Sequence, residues 1–537
     1  MVSLSYGASP ALLQEQEIGL VRNAERTPDK PAIIYRDHPL AWREFNRALN
    51  RVAHAFRDAG LRPGEHVALL LGNCPEYLIT VHGLGKLNAL SVLVNYRLKA
   101  REIAYVVSNA EARGLVYGSA FHEQVSAALP HLPQLDPRLI VHVSEREGGA
   151  GRSFAEFTGG ASDAEPDWPI RTPVSNTMIY TSGTTGLPKG VLRRNSYPLR
   201  KFIDAAKLFN LTRDERHLCH CPLYHSAPMS WANNTLYLGG TVILQPLPRF
   251  DAEEMLRLIA AYRVTTTTTV PTVLNACVRL PAERRARYRN DSFKLLLTGG
   301  APCPLALKRR VIEHFGEGVL HEYYGSTETG MNTILYPHEQ FRGEGCCGRP
   351  MPGNDLKILD EDRNELPPGE VGAIYMKNFQ LLDAYYNEPE TTAAAFHGDY
   401  FTLGDVGYLD AAGYLYVVDR SQDMLLSGGV NIYPAEIEKV LAGHPGVQDV
   451  AVIGVPDDYW GEVVWAVVVP APAWRPDPQD LINYCADRLA DYKKPRGVDF
   501  VEALPYNPSG KVLKQELRAR YGAGLPPAAP PCPAGRG

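Results

Sequence analysis

Apolar residues recur in two rhythms between about Leu20 and Ala260. Trp42–Leu61 carries them at helical spacing, whereas His66–Leu71, Leu90–Val94 and Gly114–Tyr117 are short apolar runs bounded by polar residues. Long amphipathic segments alternating with short apolar runs predict βα units around parallel sheet. Val264–Val270 contains five threonines in a row. β-Branched residues fit a pleated strand, which Pro271 would end. Lys294–Leu297 is another short apolar run and feeds directly into Thr298-Gly299-Gly300-Ala301-Pro302. A loop at the carboxyl end of a strand is the expected place for a nucleotide in such a sheet.

After Tyr408 the texture changes to short strands and glycine turns, followed by Ala435–Leu441 and Pro478–Leu489, which predict helices. The boundary falls near Asp419–Gln422. This divides the chain into an N-terminal domain over 1–419, a connection over 420–422, and a compact second domain over 423–521. The stretch 522–537 is rich in proline, glycine and alanine and is expected to be a disordered tail. The fold class expected is α/β.

With 537 residues, two or more domains are the prior. A net charge of −5 argues against a nucleic-acid partner bound by phosphate neutralisation. The first twenty residues lack a basic start and a long apolar core, and no apolar run approaches the roughly 20 residues of a membrane span. Nine cysteines without framework spacing suit a reducing cytoplasm. Cys219-His220-Cys221 and Cys346-Cys347 lack the second spaced pair of a metal site, so metal ligation by them is not expected.

Candidate chemistry concentrates first in Tyr180-Thr181-Ser182-Gly183-Thr184-Thr185-Gly186-Leu187-Pro188-Lys189-Gly190. Hydroxyls and open backbone N–H groups donate to phosphate oxygens, glycines permit close approach, and Lys189 adds positive charge. The spacing is not the G-x-x-x-x-G-K-[ST] phosphate loop, because Pro188 stands where its second glycine belongs. Further segments fit nucleotide chemistry. Pro222–Pro228 presents His225 in a constrained loop. Gly299, Gly300, Ala301 and Pro302 offer an open backbone for a flat purine. Tyr323-Tyr324-Gly325-Ser326-Thr327-Glu328 supplies an aromatic face, hydroxyls and a carboxylate; Asp405, Arg420 and Lys511 follow.

In this order, and with Tyr433-Pro434-Ala435-Glu436-Ile437-Glu438, the series resembles the adenylate-forming superfamily of acyl-CoA synthetases, peptide-synthetase adenylation domains and luciferases. The spelling is most like bacterial acyl-CoA ligases of the fatty-acid type. The likeness runs from about residue 20 to 520. It implies a large N-terminal domain of stacked sheets and helices with a smaller, mobile α+β C-terminal domain. Its chemistry is ATP-dependent ligation of an acid to CoA through an acyl-adenylate, with release of pyrophosphate.

By that resemblance, Thr181, Ser182, Gly183, Thr184, Thr185 and Lys189 hold the ATP phosphates, and Glu328 with Thr184 serves Mg²⁺. Thr327 contacts the α-phosphate, and Tyr324 and Gly325 meet adenine beside Gly299, Gly300, Ala301 and Pro302. Asp405 and Arg420 take the ribose. Lys511 bridges carboxylate and α-phosphate. His225 gates an acid pocket with candidate walls at Met229, Trp231, Thr298, Gly299, Met331 and Asn332, and their apolar bulk implies a fatty or aryl acid. Tyr323 and Tyr414 are expected to be packing aromatics. The family's pivot is a lysine or aspartate two positions after the arginine; here it is Gln422. That departure supports one alternative to CoA ligation, a diazotase-type enzyme that adenylates nitrite for an arylamine; a stand-alone enzyme that loads a carrier protein is a second alternative. Small-molecule acid, ATP and CoA are the expected partners, in the cytoplasm, with a homodimer left open.

Overall fold

The computed structural model describes residues 17–144, 149–170, 177–181, 188–193, 200–246, 250–301, 303–420, 423, 425–427, 430–457, 461–472, 474–489, 493–506 and 512–522. The chain divides into two compact units. One comprises Met1–Leu356 with Met376–Phe401, and the other Lys357–Tyr375 with Thr402–Gly537.

The first unit holds two large sheets. In one, the strands Leu90–Leu93, His66–Leu70, Ala112–Gly118 and Ile140–Val143 run parallel, and Thr177–Thr181 extends them beside Leu90–Leu93. The first three of these are the short apolar runs read from the sequence, buried on both faces as parallel strands require. Helix Trp42–Asp58 forms where the helical spacing predicts it, and Glu44 reaches back to the Ala41 N–H at 3.2 Å to close its first turn. Helix Pro75–Lys86 packs on it through Gly83, where a Cβ would stand 2.5 Å from Val52 Cγ1. Only glycine permits that approach.

The second sheet places Leu320–Ser326, Leu295–Gly299, Thr266–Thr269, Arg216–Cys219, Thr241–Leu244 and Pro31–Tyr35 in parallel order, with antiparallel strands at both ends. The threonine run forms a buried strand because its hydroxyls find partners. Thr267 donates to the Leu218 carbonyl at 2.8 Å, and Thr266 and Thr269 lie 3.0 Å from His217 Nδ1 and His220 Nε2.

In the second unit, Asp405–Leu409 pairs antiparallel with Leu415–Arg420. A separate sheet is built on the hairpin Val447–Asp457/Gly461–Pro470, with Leu425–Ser427, Val430–Ile432 and Gly497–Phe500 beside it. Its alternation has period two. Val452, Val464, Ala466 and Val468 pack with Ile437, Leu441 and Leu481 of helices Pro434–Ala442 and Pro478–Ala486, while Ala451, Ile453, Val463 and Val467 pack with Leu517 and Tyr521 of helix Lys514–Gly522. The Tyr433–Glu438 segment is a structural clasp. Glu436 pairs with Lys493 at 2.7 Å, and Glu438 accepts from the Val452 N–H at 2.7 Å while pairing with Lys514 at 2.8 Å. The helix expected over Pro478–Leu489 ends at Ala486. Among the described residues, no helix is long and apolar enough to cross a membrane.

Candidate active site

Strands Thr177–Thr181 and Lys189–Leu192 form an antiparallel pair in which Thr181 faces Lys189. The hydroxyl- and glycine-rich segment therefore connects two strands of a sheet. Ser182, Gly183, Thr184 and Thr185 lie outside the described residues, as do Pro302, Gln422 and Lys511.

The Thr181 hydroxyl donates to Glu328 Oε1 at 2.9 Å, and the Tyr385 hydroxyl approaches the same oxygen at 3.4 Å. Lys189 Nζ stands 5.5 Å from the centre of the Tyr385 ring, within the range of cation–π attraction. Glu328 is buried, so one carboxylate is held between two hydroxyls close to a lysine. Its turn is fixed locally: Ser326 Oγ accepts from the Glu328 N–H at 3.1 Å and the Thr329 N–H at 3.2 Å. Arg193 donates to the Thr327 carbonyl, and to the Gln380 carbonyl at 2.9 Å. The antiparallel return of the chain demands Gly325, because a Cβ there would lie 2.0 Å from the Gly330 carbonyl oxygen.

The Thr327 hydroxyl donates to Ser226 Oγ at 3.2 Å. Ser226 is the first residue of helix Ser226–Leu238, and His225 is its N-cap, half-buried against the Tyr224 ring at 4.4 Å. Thr181, Lys189, His225, Thr327 and Glu328 thus fall in one run of contacts. Tyr385, Arg193, Ser226 and Ser326 join it without having been singled out from the sequence.

Gly299, Gly300 and Ala301 end the strand Leu295–Gly299 as the sequence predicts. A Cβ on Gly299 would come within 2.5 Å of the Tyr323 ring, and Gly300 takes φ +79, a left-handed conformation that favours glycine. Tyr324 lies on the adjoining strand Leu320–Ser326, half-buried. Met229, Trp231 and Thr298 are buried, and the Thr298 hydroxyl has no partner among the described residues. Met331 is half-buried, and its N–H donates to Gln380 Oε1 at 2.9 Å. Asn332 is wholly enclosed; its amide donates to Thr329 at 2.8 Å and accepts from Asn378 at 2.9 Å, so both ends of that side chain are committed to bracing the turn. Asp405, in the second unit, is buried directly across the strand pair from Arg420, of which only the backbone is described.

The Cys219-His220-Cys221 triplet is engaged internally. His220 meets Thr269, and Cys219 Sγ donates to the Cys221 carbonyl at 3.6 Å. Among the described residues no group of three His, Cys, Asp or Glu could hold a metal ion. A magnesium shell of one carboxylate, phosphate oxygens and water needs no such group, and a Glu328 carboxylate held between two hydroxyls fits it.

Two family models match: AMP-binding enzyme over residues 20–386 and AMP-binding enzyme C-terminal domain over 436–511. A feruloyl-CoA synthase of an Amycolatopsis species is 36% identical over 510 residues, covering 94% of this chain and 98% of that protein. The fatty acid–[acyl-carrier-protein] ligase ScoC of Streptomyces coeruleorubidus is 33% identical, over 93% of this chain and 95% of its own length. Among solved structures, the o-succinylbenzoate coenzyme A synthetase MenE of Bacillus subtilis in complex with ATP and magnesium ion superposes with a TM-score of 0.81 at 29% identity, over 93% of this chain and 98% of that one.

Proposed function

The chain belongs to the AMP-binding enzyme family of adenylate-forming ligases, and we propose that it is an ATP-dependent acid:CoA ligase. It converts an apolar fatty or aryl carboxylate into an acyl-adenylate with release of pyrophosphate, then transfers the acyl group to the CoA thiol. The observation that carries this reading is the Thr181–Glu328 hydrogen bond, which ties the base of the phosphate-binding segment to the carboxylate of the Tyr324–Glu328 segment.

The chemistry asks for positioning and charge compensation, because two anions must meet. Lys189 and the Ser182–Thr185 hydroxyls are assigned to the β- and γ-phosphates, and Thr327 to the α-phosphate. Tyr324, with Gly299 to Ala301, is assigned to adenine, and Asp405 and Arg420 to the ribose. Lys511 is assigned to the charge between carboxylate and α-phosphate. Glu328, with Thr184, is assigned to Mg²⁺, which when bound neutralises phosphate charge. His225 is assigned to closing the acid's entry by its bulk; its place as N-cap of helix Ser226–Leu238, whose first residue bonds Thr327, supports that reading. Gln422 serves as the pivot between the two half-reactions.

A carrier-protein thiol as acceptor has the likeness to ScoC in its favour. Acid-dependent exchange of labelled pyrophosphate into ATP, in the absence of any thiol, tests the first half-reaction. Exchange that depends on an organic acid and on Mg²⁺ is expected. Its absence with fatty and aryl acids alike would refute the assignment.

A further inference from the structure

Asn73 has no part in the reaction as assigned above, yet its side chain ties the two large sheets of the first unit together. It follows strand His66–Leu70 of one sheet, precedes helix Pro75–Lys86 and is buried at 2% exposure. The segment it reaches is the one that leaves strand Arg216–Cys219 of the other sheet. The Asn73 amide donates to the Cys221 carbonyl at 3.0 Å and to the Cys219 carbonyl at 3.4 Å, and its oxygen accepts from the Leu223 N–H at 3.0 Å. One side chain thus bonds three backbone groups immediately before Tyr224 and His225.

These bonds fix the path of the chain into His225. Cys221 and Leu223 lie beyond the end of their strand, so the Asn73 amide supplies partners that a neighbouring strand would otherwise give. A primary amide suits the task because it carries donors and an acceptor together. Tyr224 continues the anchoring, with its ring edge-on to Tyr96 at 5.1 Å and 82°. The His225 N–H then closes a turn onto the Pro222 carbonyl at 3.1 Å, and His225 caps helix Ser226–Leu238. Ser226, next in the chain, bonds Thr327. The backbone of the His225 segment is therefore pinned by Asn73 before it and by Thr327 after it.

We propose that Asn73 is a positioning residue for acid binding: it holds the Cys219–Leu223 segment so that His225 stands where it closes the acid's entry. The inference rests on the role assigned to His225 in the acid-activating reading above and names the residue on which that role depends.

The test is a double-mutant cycle of Asn73→Ala and His225→Ala in the full chain, read as pyrophosphate release with phenylpropenoic acid and with a medium-chain fatty acid. Because a small misplacement of a binding segment is felt strongly, Asn73→Ala should lower kcat/KM for the acid about tenfold or more while KM for ATP changes by less than about twofold. Asn73→Asp keeps the shape and the acceptor for the Leu223 N–H but loses the amide donors, so it should show the same split to a smaller extent. In the His225→Ala background, Asn73→Ala should have little further effect on the acid, because residues that act through one another are not additive. A residue that only stabilises the fold would lower the acid and ATP parameters alike, and its effect would carry undiminished into that background. Either of those results, or unchanged acid kinetics in both Asn73 variants while His225→Ala alters them, would overturn the proposal alone. Unchanged acid kinetics in His225→Ala would remove the role of His225 and this inference with it, and no turnover of any acid by the parent protein would remove the ligase reading as well.

Discussion

Three histidines, His82, His217 and His220, are buried at 1%, 0% and 1% exposure. Burial pushes each imidazole from 6.5 down to about 3. The folded state therefore holds them neutral, while the unfolded chain protonates below 6.5. A base whose pKa falls on folding contributes stability that is fully present above its unfolded value and is lost as pH drops toward the folded one. At 1.36 kcal/mol per pH unit, each histidine removes about 2 kcal/mol between pH 7 and pH 5, and the three together about 6 kcal/mol. That is a large fraction of the roughly 5–15 kcal/mol by which folded proteins are stable. His82 isolates one share, because its ring sits edge-on to Phe45 and Tyr237, with centroids at 6.2 and 5.8 Å, a box that a phenyl ring fills. His82→Phe should shrink the pH 7 to pH 5 loss by about 2 kcal/mol, read as urea-unfolding free energies of variant and parent at both pH values. An identical loss in both proteins would refute the claim that His82 is held neutral.

Glu328→Gln keeps the side chain's shape but removes its charge, so pyrophosphate release should fall about 10²- to 10³-fold with an unchanged urea midpoint; a magnesium titration of the rate checks this. Gly325→Ala would set a Cβ 2.0 Å from the Gly330 carbonyl oxygen, which is backbone and cannot step aside. It should cost about 1–3 kcal/mol of stability and displace the Thr327–Glu328 turn, so chemical denaturation and pyrophosphate release should fall together. Lys511→Ala should lower acyl-adenylate formation by about 10²-fold or more while ATP binding, measured by calorimetry, is retained.

Much of this architecture was legible in the chain because period and punctuation agree. The apolar runs at His66, Leu90 and Gly114 became parallel strands, and Leu295–Gly299 delivers its glycines where the run before them predicts. The Thr327–Glu328 segment is marked in the chain by a hydroxyl and a carboxylate close together, whereas the turn that Ser326 fixes by accepting from the Glu328 and Thr329 N–H groups follows only from the fold. Other members of the site were not legible. Tyr385 sits on the two-residue strand Ala384–Tyr385, too short to show periodicity, and is brought to Glu328 by pairing with Lys189–Leu192, distant in sequence. Arg193 resembles any basic residue after a strand until its bonds to the Thr327 and Gln380 carbonyls are known. The hydrogen bonds of His217 and His220 were not legible because their partners come from the threonine run about fifty residues later.

The central claim is tested most directly by identifying the products of Mg·ATP turnover with an organic acid and CoA. The account predicts a CoA thioester formed in equal amount with AMP and pyrophosphate, none of them appearing without the acid. AMP release that is driven by nitrite and an arylamine and is indifferent to CoA, or no acid-dependent release at all, would contradict it.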